Sequence, residues 1–102
     1  MLPPGSRPEG ARSYLDDGRV VVWRDAGDGV VDAERRREAP AWLAARAEGD
    51  PWVWWTRLEA LCKLQGVPAL VALKRGVSAE GCVLRTVERD GIVMTFGTRA
   101  TG

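Results

Sequence analysis

The spacing of apolar and polar positions changes period along the chain, and each change marks an element boundary. Residues 1–12 (MLPPGSRPEGAR) hold proline, glycine and charge with little to bury, and predict a flexible arm. Arg19 to Asp25 (RVVVWRD) is β-branched and aromatic, which favours a strand. Ala26-Gly27-Asp28-Gly29 is turn chemistry, and Val30 to Glu34 forms a second apolar-led run. Together they predict an N-terminal β-hairpin over residues 19–34.

A helical period follows. Pro40 suits a first helical turn, Trp42, Leu43 and Ala45 form a small apolar face, and Gly49 is a stop, so a short helix is expected over 40–48. The stronger signal is DPWVWWTRLEALCKLQG. Asp50 is a good N-cap, Pro51 fits the first helical position and Gly66 ends the run, which predicts a helix over 51–65. Trp54, Leu58 and Leu61, with Trp55 and Cys62 beside them, form its broad apolar face. Trp52, Thr56, Glu59 and Lys63 form the more polar side; the tryptophans read first as core packing, and Trp52, from its place on that side, second as an exposed stacking or subunit contact.

Beyond Gly66 the reading is a three-strand meander: 67–75, with a basic tip at Lys74-Arg75, then 81–88, then 92–97. Asp90-Gly91 supplies a tight turn between the last two. The expected class is therefore α+β. Two strands are available in the N-terminal hairpin to cover the open edge of the meander, from the same chain or from a neighbouring subunit.

Composition adds mainly exclusions. The chain has 102 residues, 45% hydrophobic and 28% charged, which fits one globular domain. A net charge of +1 creates no strong field toward nucleic acid or membrane. Histidine is absent, and with it the commonest general base and metal ligand. Two separated cysteines, Cys62 and Cys82, do not make a zinc site, and both read as reduced, small buried hydrophobes. No phosphate-binding glycine loop or nucleophile elbow occurs. The chain is thus expected not to be an enzyme and to use no cofactor and no metal. No apolar run reaches the ~18 residues of a membrane span. The N-terminal stretch lacks a secretory core, so a cytoplasmic protein is expected. Arg35-Arg36-Arg37 reads first as a solvated cluster balanced by Glu34 and Glu38, and second as a phosphate-contacting patch.

One ordered set of features resembles a known family. Asp50-Pro51 opens a helix, Val67-Pro68 follows it, Gly76 and Gly81 flank four residues, Glu88 or Asp90 sits in an acidic turn, and Ile92-Val93-Met94-Thr95-Phe96 closes the set. Over residues 50–96 this order resembles the bacterial Hfq branch of the Sm-like family. The resemblance implies a small, strongly bent antiparallel Sm-like or SH3-like β-barrel, preceded by the Trp-rich helix and joined by the N-terminal hairpin. The family's second signature segment is missing. Ala72 and Ser78 stand where the family has an aromatic and a basic RNA contact, and of the basic rim only Lys63 has a counterpart.

Two functions are carried forward from these residues. The first, implied by the resemblance, is an Hfq-like RNA-binding or RNA-associated regulatory protein. Lys63, Lys74, Arg75, Arg85 and Arg89 would contact phosphates of RNA or another single strand, and Trp52 would stack on a base. The second is a protein-interaction module that docks on or inhibits a partner, or forms a homo-oligomer. Its expected interface residues are Trp52, Trp54 and Trp55 on the helix and Ile92, Met94 and Phe96 on the last strand.

Overall fold

The longest helix starts and stops for reasons local to the chain. Oδ1 of Asp50 accepts from the main-chain N–H groups of Trp52 (3.0 Å) and Val53 (3.2 Å). Pro51 occupies the first helical position, where no N–H is needed. Gly66 takes the left-handed conformation (φ 66°) that a side chain resists, and its N–H bonds the Cys62 carbonyl. A computed structural model describes residues 10–100 of the chain. Along them lie β1 (Ala11–Tyr14), β2 (Val20–Trp23), β3 (Val30–Arg35), α1 (Ala41–Arg46), α2 (Pro51–Gln65), α3 (Ala69–Arg75), β4 (Cys82–Arg89) and β5 (Ile92–Arg99). The class is α+β, with two antiparallel sheets: the ribbon β1-β2 and a three-stranded sheet ordered β3-β5-β4.

The hairpin β4–β5 turns on Asp90 (φ 53°) and Gly91 (φ 73°), the two positive-φ positions of a type I′ turn, which pairs Arg89 with Ile92. From that register, side chains alternate between two faces. Val93, Thr95 and Gly97 of β5 are buried beneath α2, while Ile92, Met94, Phe96 and Thr98 lie on the outer face, half-buried. Helix α2 meets β5 through the row Trp52, Thr56, Ala60 and Leu64, spaced four apart. Two small residues in that row permit close approach. A Cβ on Gly97 would stand 3.0 Å from a Leu64 methyl. Trp52 packs with Leu43 and Val93 at one end of the row, and Ala60 and Leu64 pack with Val30 at the other.

The structure corrects several expectations. The buried face of α2 is rotated from the expected one: Leu61 and Cys62 are buried and Lys63 is exposed as read, but Trp54, Trp55 and Leu58 are only half-buried. Trp52, placed on the polar side, is 3% exposed, and Thr56 in the same row is fully buried. The threonine hydroxyl misleads a count of polar positions, because its hydrogen bonds are met inside. Residues 67–75 are not a strand. Pro68 caps α3, whose Ala, Leu, Lys and Arg content suits a helix, and Lys74 and Arg75 lie in its last turn, where they favour the helix dipole. Leu70, an expected strand core residue, is 74% exposed. The segments 19–25 and 30–34 do not pair with each other. β2 pairs with β1, whereas β3 pairs with β5 in cis. The turn at 26–29, with Asp25 (φ 57°) and Gly27 (φ 59°) at positive φ, therefore links two sheets. Its driving force is burial: Val30, Val31, Asp32 and Ala33 are all buried, so β3 needs cover on both faces. The helix expected over 40–48 spans six residues, with Pro40 as its cap. The arm expected over 1–12 lies outside the described residues up to position 9; Ala11 and Arg12 are in β1, and Ala11 is buried. Among the described residues the two sheets do not close into a barrel.

Leu43→Ala is expected to cost about 2–5 kcal/mol, because that side chain is fully buried, and Leu70→Ala less than about 0.5 kcal/mol. Urea midpoints with unchanged slopes measure both. Equal losses would overturn the assignment of residues 69–75 to an exposed helix.

Candidate docking surface

The charged groups are mostly bound to one another. Arg36 donates to Glu88 of β4 (2.7 Å) and to Asp50, the cap of α2 (2.8 Å), and its main-chain N–H bonds the Gly91 carbonyl (2.7 Å). Arg35 grips Asp16 through two 3.0 Å bonds. Arg37 donates to its neighbour's carbonyl, Arg35 O, at 2.6 Å, and its guanidinium lies 4.1 Å from the centre of the Trp52 ring. The arginine run is thus a set of internal ties to Asp16, Glu34, Asp50 and Glu88, and Glu34 is the only one of its two expected partners used.

The same holds for two of the expected nucleic-acid contacts. Lys63 sits 3.2 Å from Asp32 and donates to the Val31 carbonyl at 2.8 Å. Trp52 is buried, and its indole N–H donates to the Arg37 carbonyl (2.8 Å), so it presents no face for stacking. Lys74, Arg75, Arg85 and Arg89 remain exposed. They do not converge: Lys74 and Arg75 end α3, Arg85 is on the outer face of the sheet, and Arg89 is at the hairpin end beside Asp90.

Beneath α2 lie two buried polar arrangements that no sequence motif announced. Arg57 donates to the Thr86 hydroxyl (3.0 Å), which is 2.8 Å from that of Thr95, itself 2.8 Å from that of Thr56. Since Arg57 can only donate, Thr86 accepts from it and the chain runs on to the Val53 carbonyl (3.3 Å). The second is Asp32, whose Oδ2 has no partner. Burial pushes its carboxyl up to about 7, against the opposing pull of Lys63, with Glu59 and Glu34 adding to the rise. Burial likewise raises the Glu59 carboxyl and the Cys62 thiol. Cys62 and Cys82 are both free thiols. Among the described residues no cluster of His, Cys, Asp or Glu suits a metal ion, and no helix is long and apolar enough to cross a membrane.

The open feature is the edge of β4. The Ala100 N–H bonds the Gly81 carbonyl (2.7 Å), which sets the ladder phase. Residues 83, 85, 87 and 89 therefore bond toward β5, and the main-chain groups of Cys82, Leu84, Thr86 and Glu88 point away from it. The Cys82 N–H is met by the Ala79 carbonyl (3.0 Å). Among the described residues, those of Leu84, Thr86 and Glu88 have no partner on that side.

Apolar hollows flank this edge on both faces. On the outer face, Trp23, Val83, Arg85, Val87, Phe96 and Thr98 line a cleft of about 450 Å³. Trp23 meets Phe96 edge-on at 5.3 Å, and Val83 is 54% exposed. On the helix face, Trp54, Leu58, Leu61, Leu73 and Leu84 form a groove of about 690 Å³, with Arg46 and Arg57 at its sides. Of the expected interface residues, Trp54 and Phe96 thus lie against the two hollows. Trp55 packs edge-on against the half-exposed Trp42 (5.6 Å), and Ile92 and Met94 are half-buried on the outer face. No protein-family model, curated protein or solved structure matches the chain.

A pH dependence follows from Asp32. Its folded carboxyl holds a proton more tightly than the unfolded one between its ordinary value of 3.8 and about 7. Stability therefore falls as pH rises through that window, by at most about 1.4 kcal/mol per pH unit, and levels off above it. Asp32→Asn should flatten the urea midpoint over this range. A variant that keeps the wild-type slope would exclude Asp32 as the cause.

Proposed function

We propose that this protein is a non-catalytic protein-docking module whose binding site is the edge of β4. The observation that carries the reading is an eight-residue edge strand with unpaired main-chain groups at Leu84, Thr86 and Glu88, flanked by apolar hollows on both faces. An added strand takes its affinity from those groups, and alternate side chains fill the hollows. Exposed edges are usually blunted by covering elements, prolines or charge; β4 carries Arg85, Glu88 and Arg89, but its Val83 is apolar and open. The Trp54 groove on one side and the Trp23–Phe96 cleft on the other supply the aromatic anchors that interfaces favour. Arg85, on the outer face, favours an acidic residue in the incoming strand.

The RNA-binding reading has less behind it. Trp52 and Lys63 are committed to internal bonds, and the remaining cations are divided between α3 (Lys74, Arg75) and β4 (Arg85, Arg89). An Sm-like closure of the sheet would likewise have to fill the β4 edge.

The test is amide hydrogen exchange on the full chain. An extended peptide of alternating valine and glutamate should slow exchange at Leu84, Thr86 and Glu88 at least about tenfold, while a proline-interrupted peptide has no effect. Failure of the peptide to protect these amides, together with chemical-shift changes at Lys74, Arg75, Arg85 and Arg89 on adding poly(U) at low salt, would replace this reading with the nucleic-acid one.

A further inference from the structure

We propose that the strand filling the β4 edge is β4 of a second copy of the chain, antiparallel about a two-fold axis through Thr86. The inference rests on the docking reading and names its partner.

The free main-chain groups select the register. Leu84, Thr86 and Glu88 each present one N–H and one carbonyl, and Thr86 is the middle of the set. A two-fold at Thr86 sets Thr86 opposite Thr86, and Leu84 opposite Glu88, of the second copy. Residues that face each other in this way exchange both hydrogen bonds when their groups point at the seam. All the free N–H groups of both edges, and every free carbonyl but that of Cys82, are then used. The Cys82 N–H, which points to the same side, lies outside the set and is already satisfied by Ala79.

Side chains agree with that register and disagree with its neighbours. A two-fold perpendicular to the sheet keeps each face on its own side, so only shifts of two residues are allowed. With Thr86 on the axis, Val83 faces Arg89 and Arg85 faces Val87 of the second copy, and the arginine stems cover the valines. Moving the pairing by two in one direction sets Arg85 opposite itself. Moving it by two in the other sets Arg85 opposite Arg89. Both shifted registers also leave free groups unmatched or compete with Ala79 for the Cys82 N–H.

The shape of the molecule points the same way. Helix α2 packs chiefly on β5 and β3, and the groove between it, Leu73 of α3 and Val77 of the following segment reaches β4 at Leu84. Pairing at β4 therefore brings the Leu84 ends of the two grooves to the seam. A net charge of +1 on each chain opposes this association little. The product is one six-stranded sheet, β3-β5-β4 continued by its symmetry mate.

The test is light scattering of the full chain from about 5 to 500 μM, the range in which a small interface of this kind populates both monomer and dimer. A concentration-dependent dimer is expected, and a monomer throughout overturns the inference while leaving the peptide-exchange result to decide the docking reading. Val83→Lys places a lysine opposite Arg89 twice in the dimer, so it should raise the dissociation constant at least about tenfold. Val20→Lys, at another exposed valine on β2, should leave it unchanged. Adding Arg89→Glu to Val83→Lys makes the facing pair attractive and should restore the dimer. Hydrogen exchange at the β5 amides confirms folding of each variant, since neither Val83 nor Arg89 is buried. A wild-type dimer that is indifferent to Val83→Lys, or a double variant that fails to recover, overturns the pairing at Thr86.

Discussion

The contact between α2 and β5 is the constraint on which the rest of the structure depends. It brings Thr56 and Thr95 within 2.8 Å, below a row of side chains whose two large members, Trp52 and Leu64, stand at its ends. Small residues let the helix come close, and closeness would strand two hydroxyls in an apolar layer. The chain of donors from Arg57 through Thr86, Thr95 and Thr56 to Val53 removes that penalty, because each hydroxyl both accepts and donates. Each such bond adds only about 1 kcal/mol net, but an orphaned hydroxyl there costs about 1–3 kcal/mol. The network therefore acts as a specification of register more than as a source of stability. A helix shifted by one residue would break it.

Charge is spent on the same task. Arg36 connects the cap of α2 to β4 and to the turn before β5, three points far apart in sequence. Each ion pair is half-exposed and individually weak. Their joint effect is orientational, since one planar guanidinium cannot satisfy Asp50, Glu88 and its own main-chain bond in two different packings. Arg35 and Arg37 play the same part for the loop carrying Asp16. Lys63, bound at the buried Asp32, holds the far end of α2 against β3. With so many cations committed internally, the surface that remains is distinguished by shape and by unpaired main chain, not by positive potential.

That surface arises from the order of the sheet. Because β3 enters beside β5, the central position is taken by β5 and β4 is left at the edge. On the opposite side, the β3 edge is managed: Ser13 of β1 accepts from the Ala33 N–H (2.9 Å), Lys63 reaches the Val31 carbonyl, and Arg37 takes that of Arg35. Side chains thus meet three main-chain groups on one edge of the sheet, while among the described residues the other edge has none met at Leu84, Thr86 and Glu88 and leaves Val83 open. That asymmetry between the two edges is what supports the docking proposal for β4.

Elements whose causes are local were legible in the sequence. Asp50, Pro51 and Gly66 delimit α2 through cap and turn geometry within a few residues, and Asp90-Gly91 sets the β4–β5 hairpin the same way. Short apolar runs were not, because Leu70-Val71-Ala72-Leu73 fits a buried strand or a helix equally well until its neighbours are known. Nor could polarity tell which face of α2 is covered, since Thr56 is buried by virtue of a partner 39 residues away. Strand pairing also depended on distance: nothing near Val30 says that its partner is Gly97 and not a residue of β2. The sequence by itself determined where the chain turns, caps and ends its elements, because those choices are made by backbone geometry within a few residues. The tertiary structure alone decided which faces are buried, which cations are free and which strand edge is open, because each is set by contacts between residues far apart along the chain.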